Sequence, residues 1–198
     1  TGNFANNAYK EAVKFVDIHV AFSSKDRNFD RVPTQAELDI RPDADYFYIC
    51  ANNTIYGTEY QYDPETPAGV PLVADMSSNI LSKPVDVSKY GVIYAGAQKN
   101  MGPAGVTVVI VREDLLGSYP LEKYPVMLDW QTMANKGSMY NTPPTYGIYV
   151  LGLVLEWVEQ MGGVKVMQER AEKRSSMLYD YLDSQDFYTV SYTHLRAH

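Results

Sequence analysis

The chain has 198 residues, 45% of them hydrophobic and 21% charged, with a net charge of −7. That is enough apolar material for a packed core, and the absence of any dense Lys/Arg run argues against a nucleic-acid surface, which needs a concentrated positive field. No apolar run reaches the roughly 18–20 residues of a membrane span. A single cysteine excludes a disulfide framework and favours a cytosolic setting, and the three histidines have no partner at metal-ligand spacing.

The first predicted element is a helix over 6–16, where Ala8, Ala12, Phe15 and Val16 fall near one face. Alternation then predicts a strand over 17–22. Thr34, followed three residues on by Glu37, predicts a short capped helix. Aromatic and β-branched residues predict a strand over 46–50, and Pro/Gly punctuation makes 63–69 a loop. Three apolar runs follow at 72–74, 92–94 and 106–111. The last reads Val-Thr-Val-Val-Ile-Val, the composition of a strand buried on both faces. The pattern turns helical from Thr145 to Met161, breaks at Gly162-Gly163, and resumes as a helix over 164–182 with a mixed charged face. Strands separated by loops and helices predict an α/β layered sheet. Residues 190–198 (Val-Ser-Tyr-Thr-His-Leu-Arg-Ala-His) extend neither a helix nor a strand. They match, in one reading frame, the translation of a transposase adapter used in sequencing libraries. On that reading the native sequence ends near Thr189, and His194 and His198 carry no function.

Two residues stand out chemically. Lys99 follows a buried-type strand and precedes the turn Asn-Met-Gly-Pro-Ala-Gly, with Gly96 and Ala97 small enough for a ligand to approach the backbone. Asp75 closes the run Pro-Leu-Val-Ala, where an open α/β sheet binds its ligands beyond the strand ends. Alone, the lysine reads as a solvent-facing loop residue and the aspartate as a turn or helix cap. Together they meet two needs of pyridoxal phosphate chemistry: an amine to hold the cofactor's aldehyde, and a carboxylate to keep its ring nitrogen protonated. The glycines are not a nucleotide-type phosphate loop, because no Gly-Lys-Ser/Thr stands at the required offset.

Four stretches extend this pair: Asn-Asn-Thr-Ile-Tyr-Gly at 52–57, Pro-Leu-Val-Ala-Asp-Met-Ser-Ser at 71–78, Ala-Gly-Ala-Gln-Lys-Asn-Met-Gly-Pro-Ala-Gly at 95–105, and Tyr-Asn-Thr-Pro-Pro-Thr at 140–145. Thr54 precedes Asp75 by 21 residues and Asp75 precedes Lys99 by 24. In order and spacing the chain resembles the phosphoserine aminotransferase family, among the class V pyridoxal-phosphate enzymes of fold type I. The resemblance implies a three-layer α/β/α large domain, incomplete at both ends. It divides the chain into a partial cofactor-binding domain at 1–161, the start of a helix leading to a small C-terminal domain at 162–189, and the non-native tail at 190–198. Lys99 then matches the catalytic lysine that binds the cofactor and shuttles the Cα proton. Asp75 matches the ring-nitrogen partner, Thr54 a contact to the ring hydroxyl region, and Gln98 a side chain near the phosphate. Asn141 and Thr142 match donors to the phosphate of a neighbouring subunit's cofactor, which implies a homodimer with shared sites; as a local alternative they cap the turn into the Pro143-Pro144 helix start. Phe4 stands where the family often has a tryptophan over the ring. The implied reaction moves the amino group of glutamate to 3-phosphohydroxypyruvate, in serine and, in bacteria, pyridoxine biosynthesis, within the cytoplasm. The substrate-binding arginines and histidine fall outside the chain, so the fragment itself is expected to be inactive. Alternatives are another fold type I aminotransferase, a cysteine desulfurase, or a catalytically silent truncated domain. A desulfurase needs a mobile cysteine, and Cys50 reads as a structural residue inside a strand.

Overall fold

The structure, a computed structural model, describes residues 1–117 and 123–187; the reading of residues 190–198 as a non-native tail lies outside them. The chain opens with helix α1 (Asn3–Ala12), which starts and stops earlier than the periodicity predicts, so that Phe15 and Val16 fall beyond its end. Residues 17–22 form no strand, contrary to their alternation. They find no sheet edge to pair with and are tied instead by side chains, Asp17 to Arg41 at 2.8 Å and His19 to Asp39 at 3.0 Å. The short helix expected at Thr34 is present as one 3-10 turn, with the Glu37 carboxylate accepting from the Thr34 backbone N–H at 2.9 Å.

Strand β1 (Phe47–Cys50) leads into a small hairpin of β2 (Asn52–Asn53) and β3 (Thr58–Glu59). Gly57 takes the left-handed conformation that closes this hairpin, at φ 65°, which a side chain would resist. Strands β4 (Leu72–Asp75), β5 (Val92–Gly96) and β6 (Thr107–Val111) complete a four-stranded sheet in the order β1-β4-β5-β6. The first three are mutually parallel and β6 is antiparallel to β5. Register and pleat sort the side chains. Ile49, Ala74 and Ile93 stand in line on one face, and Cys50, Asp75 and Tyr94 in line on the other. The first face is the core: Leu72, Ala74 and Ile93 are almost fully buried and pack with Val32, Tyr60, Met76 and Tyr90. Each aliphatic side chain removed from water in this way contributes about 1.5–3 kcal/mol.

Strand β6 departs from expectation. It is the outer strand, and Val109 and Ile110 are each 42% exposed rather than buried on both faces. Among the described residues it pairs only with β5. A continuous apolar run reports the burial a strand is suited to, and the neighbours present decide whether it is met.

Beyond the sheet lie a short helix α2 (Trp130–Asn135), capped by Asp129, and two long helices, α3 (Thr145–Gln160) and α4 (Gly163–Asp183), which pack on each other. Gly162, at φ 104°, makes the break between them that the sequence marks. Helix α3 braces the β5–β6 hairpin: Leu151 packs with Ala97 and Met101, and an added Cβ at Gly147 would stand 2.8 Å from Val106 Cγ2. No described helix is long and apolar enough to cross a membrane.

Candidate active site

The three parallel strands end at Cys50, Asp75 and Gly96, and a cleft of about 220 Å³ opens beyond those ends. Ligand pockets usually begin near about 300 Å³, so the described residues form a floor and part of a wall. Its lining includes Phe4, Thr54, Asp75, Gln98 and Lys99. The structure therefore brings together five of the seven residues singled out from the sequence. Asn141 and Thr142 are not among the lining residues; they lie exposed on the stretch before α3. Their alternative as a helix cap is absent too, because the N-cap is Pro144 and no side chain closes that end.

Each lining residue has a local reason for its position. Lys99 sits in the ten-residue connection between β5 and β6. One helical turn pins that connection: the Ala97 carbonyl accepts from Met101 and Gly102 N–H at 2.9 Å each, and Ala97 N–H donates to Val106 at 2.9 Å. Met101, 3% exposed, anchors the turn from below, which leaves the preceding Lys99 on the cleft side. Its side chain is exposed and is held at two points. The Lys99 Nζ donates to Thr54 Oγ1 at 2.7 Å and lies 5.1 Å from the centre of the Phe4 ring, within reach of a cation–π attraction. Thr54 opens the β2–β3 loop, so the Gly57 turn aims its hydroxyl at the lysine. Phe4 lies within α1, not ahead of it. Gly2 brings that helix against the hairpin; an added Cβ would fall 1.9 Å from Asn53 Oδ1, so any larger residue displaces the Asn53 amide or the helix.

Asp75 ends β4, and its Oδ1 accepts from the Ser77 N–H at 2.9 Å, a turn closure that also fixes the carboxylate. Ser77 Oγ accepts from Gly96 N–H at 3.0 Å, so its own proton remains available to a ligand. Gln98 folds back over Gly96, where a Cβ would meet its Oε1 at 2.7 Å; the glycine makes room for the amide.

Ser77, Ser78 and Cys50 also line the cleft and were missed as site residues. The two serines lie two and three residues after Asp75, and that proximity was the available signal. Cys50, read as structural, is buried and also faces the site. Burial beside Asp75 pushes its thiol up to about 12, so at neutral pH it is protonated and unreactive. That argues against a desulfurase nucleophile at this position.

The arrangement fits the demands of pyridoxal phosphate. An amine and a carboxylate share one cleft, a flat ring stands beside the amine, and Ser77 and Gln98 offer donors. Asp75, which accepts from Ser77, retains lone-pair capacity for a ring nitrogen.

Comparison with known proteins gives the same direction. Residues 2–198 match the family model described as aminotransferase class-V. A phosphoserine aminotransferase from Herminiimonas arsenicoxydans is 50% identical over 188 residues, which is 95% of this chain and 51% of that protein. Among solved structures, the phosphoserine aminotransferase of Bacillus circulans subsp. alkalophilus superposes with a TM-score of 0.89 at 45% identity, over 92% of this chain and 50% of that one. The phosphoserine aminotransferase of Trichomonas vaginalis, solved with pyridoxal phosphate bound, gives 0.92 at 34% identity, over 100% and 55%. The chain spans about half the length of the curated relatives it matches. These likenesses agree with the expected α/β fold of the type I enzymes.

Proposed function

The chain belongs to the class-V aminotransferase family, and from that premise we propose that it forms the cofactor floor of a pyridoxal-phosphate-dependent phosphoserine aminotransferase. The observation that carries this reading is the convergence of Asp75 and Lys99 on one cleft beyond the parallel strands, in a chain about 50% identical to phosphoserine aminotransferases. When bound, pyridoxal phosphate supplies an electron sink for charge developing at the substrate's Cα. Lys99 holds the cofactor and moves the Cα proton. Asp75 keeps the ring nitrogen protonated. Thr54 orients the Lys99 amine and contacts the ring hydroxyl region, Phe4 covers a ring face, and Gln98 and Ser77 donate to the phosphate end. Asn141 and Thr142, exposed before α3, are free to reach the phosphate site of a second copy; we infer a homodimer with shared sites on that basis.

The substrates in this reading are L-glutamate and 3-phosphohydroxypyruvate, converted to 2-oxoglutarate and O-phospho-L-serine for serine and, in bacteria, pyridoxine biosynthesis in the cytoplasm. Residues 1–161 are the partial cofactor-binding domain, and 162–189 begin the helix toward a smaller one. The test is borohydride reduction of the protein, completed to the length of its relatives and loaded with cofactor, followed by peptide mapping. The label is expected on Lys99; a label on any other lysine overturns the reading.

A further inference from the structure

Two tyrosines outside the cleft lining share the sheet face of Asp75. Tyr94 stands opposite Asp75 in the β4–β5 register, which sets the two side chains next to each other on one face of the sheet. Tyr48 lies on β1, two residues before the Cys50 that pairs with Asp75, and therefore on the same face of the sheet. The Tyr48 and Tyr94 hydroxyl oxygens are 3.2 Å apart. An ionised carboxylate only accepts hydrogen bonds. A Tyr94 hydroxyl that donates to Asp75 has no second proton to offer, so in that arrangement the Tyr48 proton points to Tyr94.

We propose that Tyr94 and Tyr48 are positioning residues, a one-way chain of hydroxyl donors that fixes Asp75 against the cofactor's ring nitrogen. The proposal rests on the assignment of Asp75 as that nitrogen's partner. Neither hydroxyl touches the ligand in this role. Together with the Ser77 N–H, 2.9 Å from Oδ1, they hold the carboxylate in one orientation. A donor that is itself accepting a hydrogen bond is polarised and donates more strongly, and half-buried surroundings enhance the effect. Burial and its partners push the Tyr94 phenol up to about 12, and Tyr48 higher still, so both remain donors across the neutral range.

The test uses the protein completed to the length of its relatives, with three variants: Tyr94→Phe, Tyr48→Phe and Asp75→Asn. The dissociation constant for pyridoxal phosphate and the visible absorbance maximum of the bound cofactor are measured, together with melting of the cofactor-free proteins. Tyr94→Phe is expected to raise the dissociation constant roughly tenfold, the low end of what loss of an outer partner costs a bound group. It is expected to shift the absorbance maximum in the same direction as Asp75→Asn. Tyr48→Phe should act in the same direction by a smaller factor, and it decides the question should Tyr94→Phe fail to fold. A lowered melting temperature with unchanged affinity and spectrum would overturn the proposal, leaving the tyrosines as packing residues. If both tyrosine variants are silent while Asp75→Asn changes affinity and spectrum, the relay fails and the role of Asp75 stands. If Asp75→Asn is silent as well, the underlying reading of the site fails with it.

Discussion

Single residues in this chain acquire meaning through partners that are distant in sequence. Lys99 alone is an exposed loop lysine; its distinction is the Thr54 hydroxyl at 2.7 Å, 45 residues earlier in the chain. Asp75 is a turn closure by its bond to Ser77 and a candidate ring partner by its direction, and the two roles coexist because a carboxylate has room for several donors. The pair Arg31 and Glu37 gives a residue-scale prediction away from the site. Two hydrogen bonds from Arg31, at 2.7 and 2.8 Å, together with the Thr34 N–H, hold the Glu37 carboxyl down at about 2 against an ordinary value of 4.5. A lowered folded-state value means that the stabilisation is complete above 4.5 and disappears as pH falls toward 2. Glu37→Gln should therefore melt below the parent at pH 7, with the gap closing in acid. Paired thermal melts at pH 7 and pH 2.5 check this, and a gap that persists at the lower pH contradicts it.

At the scale of elements, the β5–β6 hairpin is the structure that presents Lys99, and α3 holds the hairpin. Contact is tight where Gly147 meets Val106, a stiff β-branched side chain that cannot swing aside cheaply. Gly147→Val forces the helix and hairpin apart and should cost about 1–3 kcal/mol, the usual range for overpacking. Denaturant unfolding followed by tryptophan fluorescence measures it. An unchanged midpoint would mean that α3 does not brace the hairpin. The same scale accounts for what the linear pattern got right and wrong. The parallel strands and the α3–α4 break were legible because their periodicity, β-branching and glycines act locally. The strand expected over 17–22 was not formed, because alternation alone does not supply a neighbouring edge.

For the whole molecule, the surface left by the fold is unusually apolar. Val109 and Ile110 lie on the outer strand, and Tyr146, Tyr149, Leu153 and Trp157 are exposed at helical spacing along α3, from 45% to 77%. Among the described residues no arginine lines the cleft, and discrimination of a phosphorylated, carboxylated substrate depends on bidentate guanidinium contacts. The 198-residue chain by itself is therefore expected to give no transamination between glutamate and a phosphorylated 2-oxo acid. A coupled assay for 2-oxoglutarate with the purified chain and added cofactor is the check; turnover above the cofactor-only control would contradict it.

The sequence by itself determined the succession of apolar runs, the breaks between elements, and the choice of Lys99, Asp75, Thr54, Gln98 and Phe4 as candidates, because motif spacing and short-range patterning are properties of the linear chain. Only the tertiary structure decided that these five meet at one set of strand ends, that Ser77 and Cys50 join them, and that Tyr94 and Tyr48 share the sheet face of Asp75. It also decided that β6 is an outer strand. Cys50, Asp75, Tyr94 and Tyr48 depend on register between strands far apart in sequence, and a one-residue change of register would turn those four side chains to the other face.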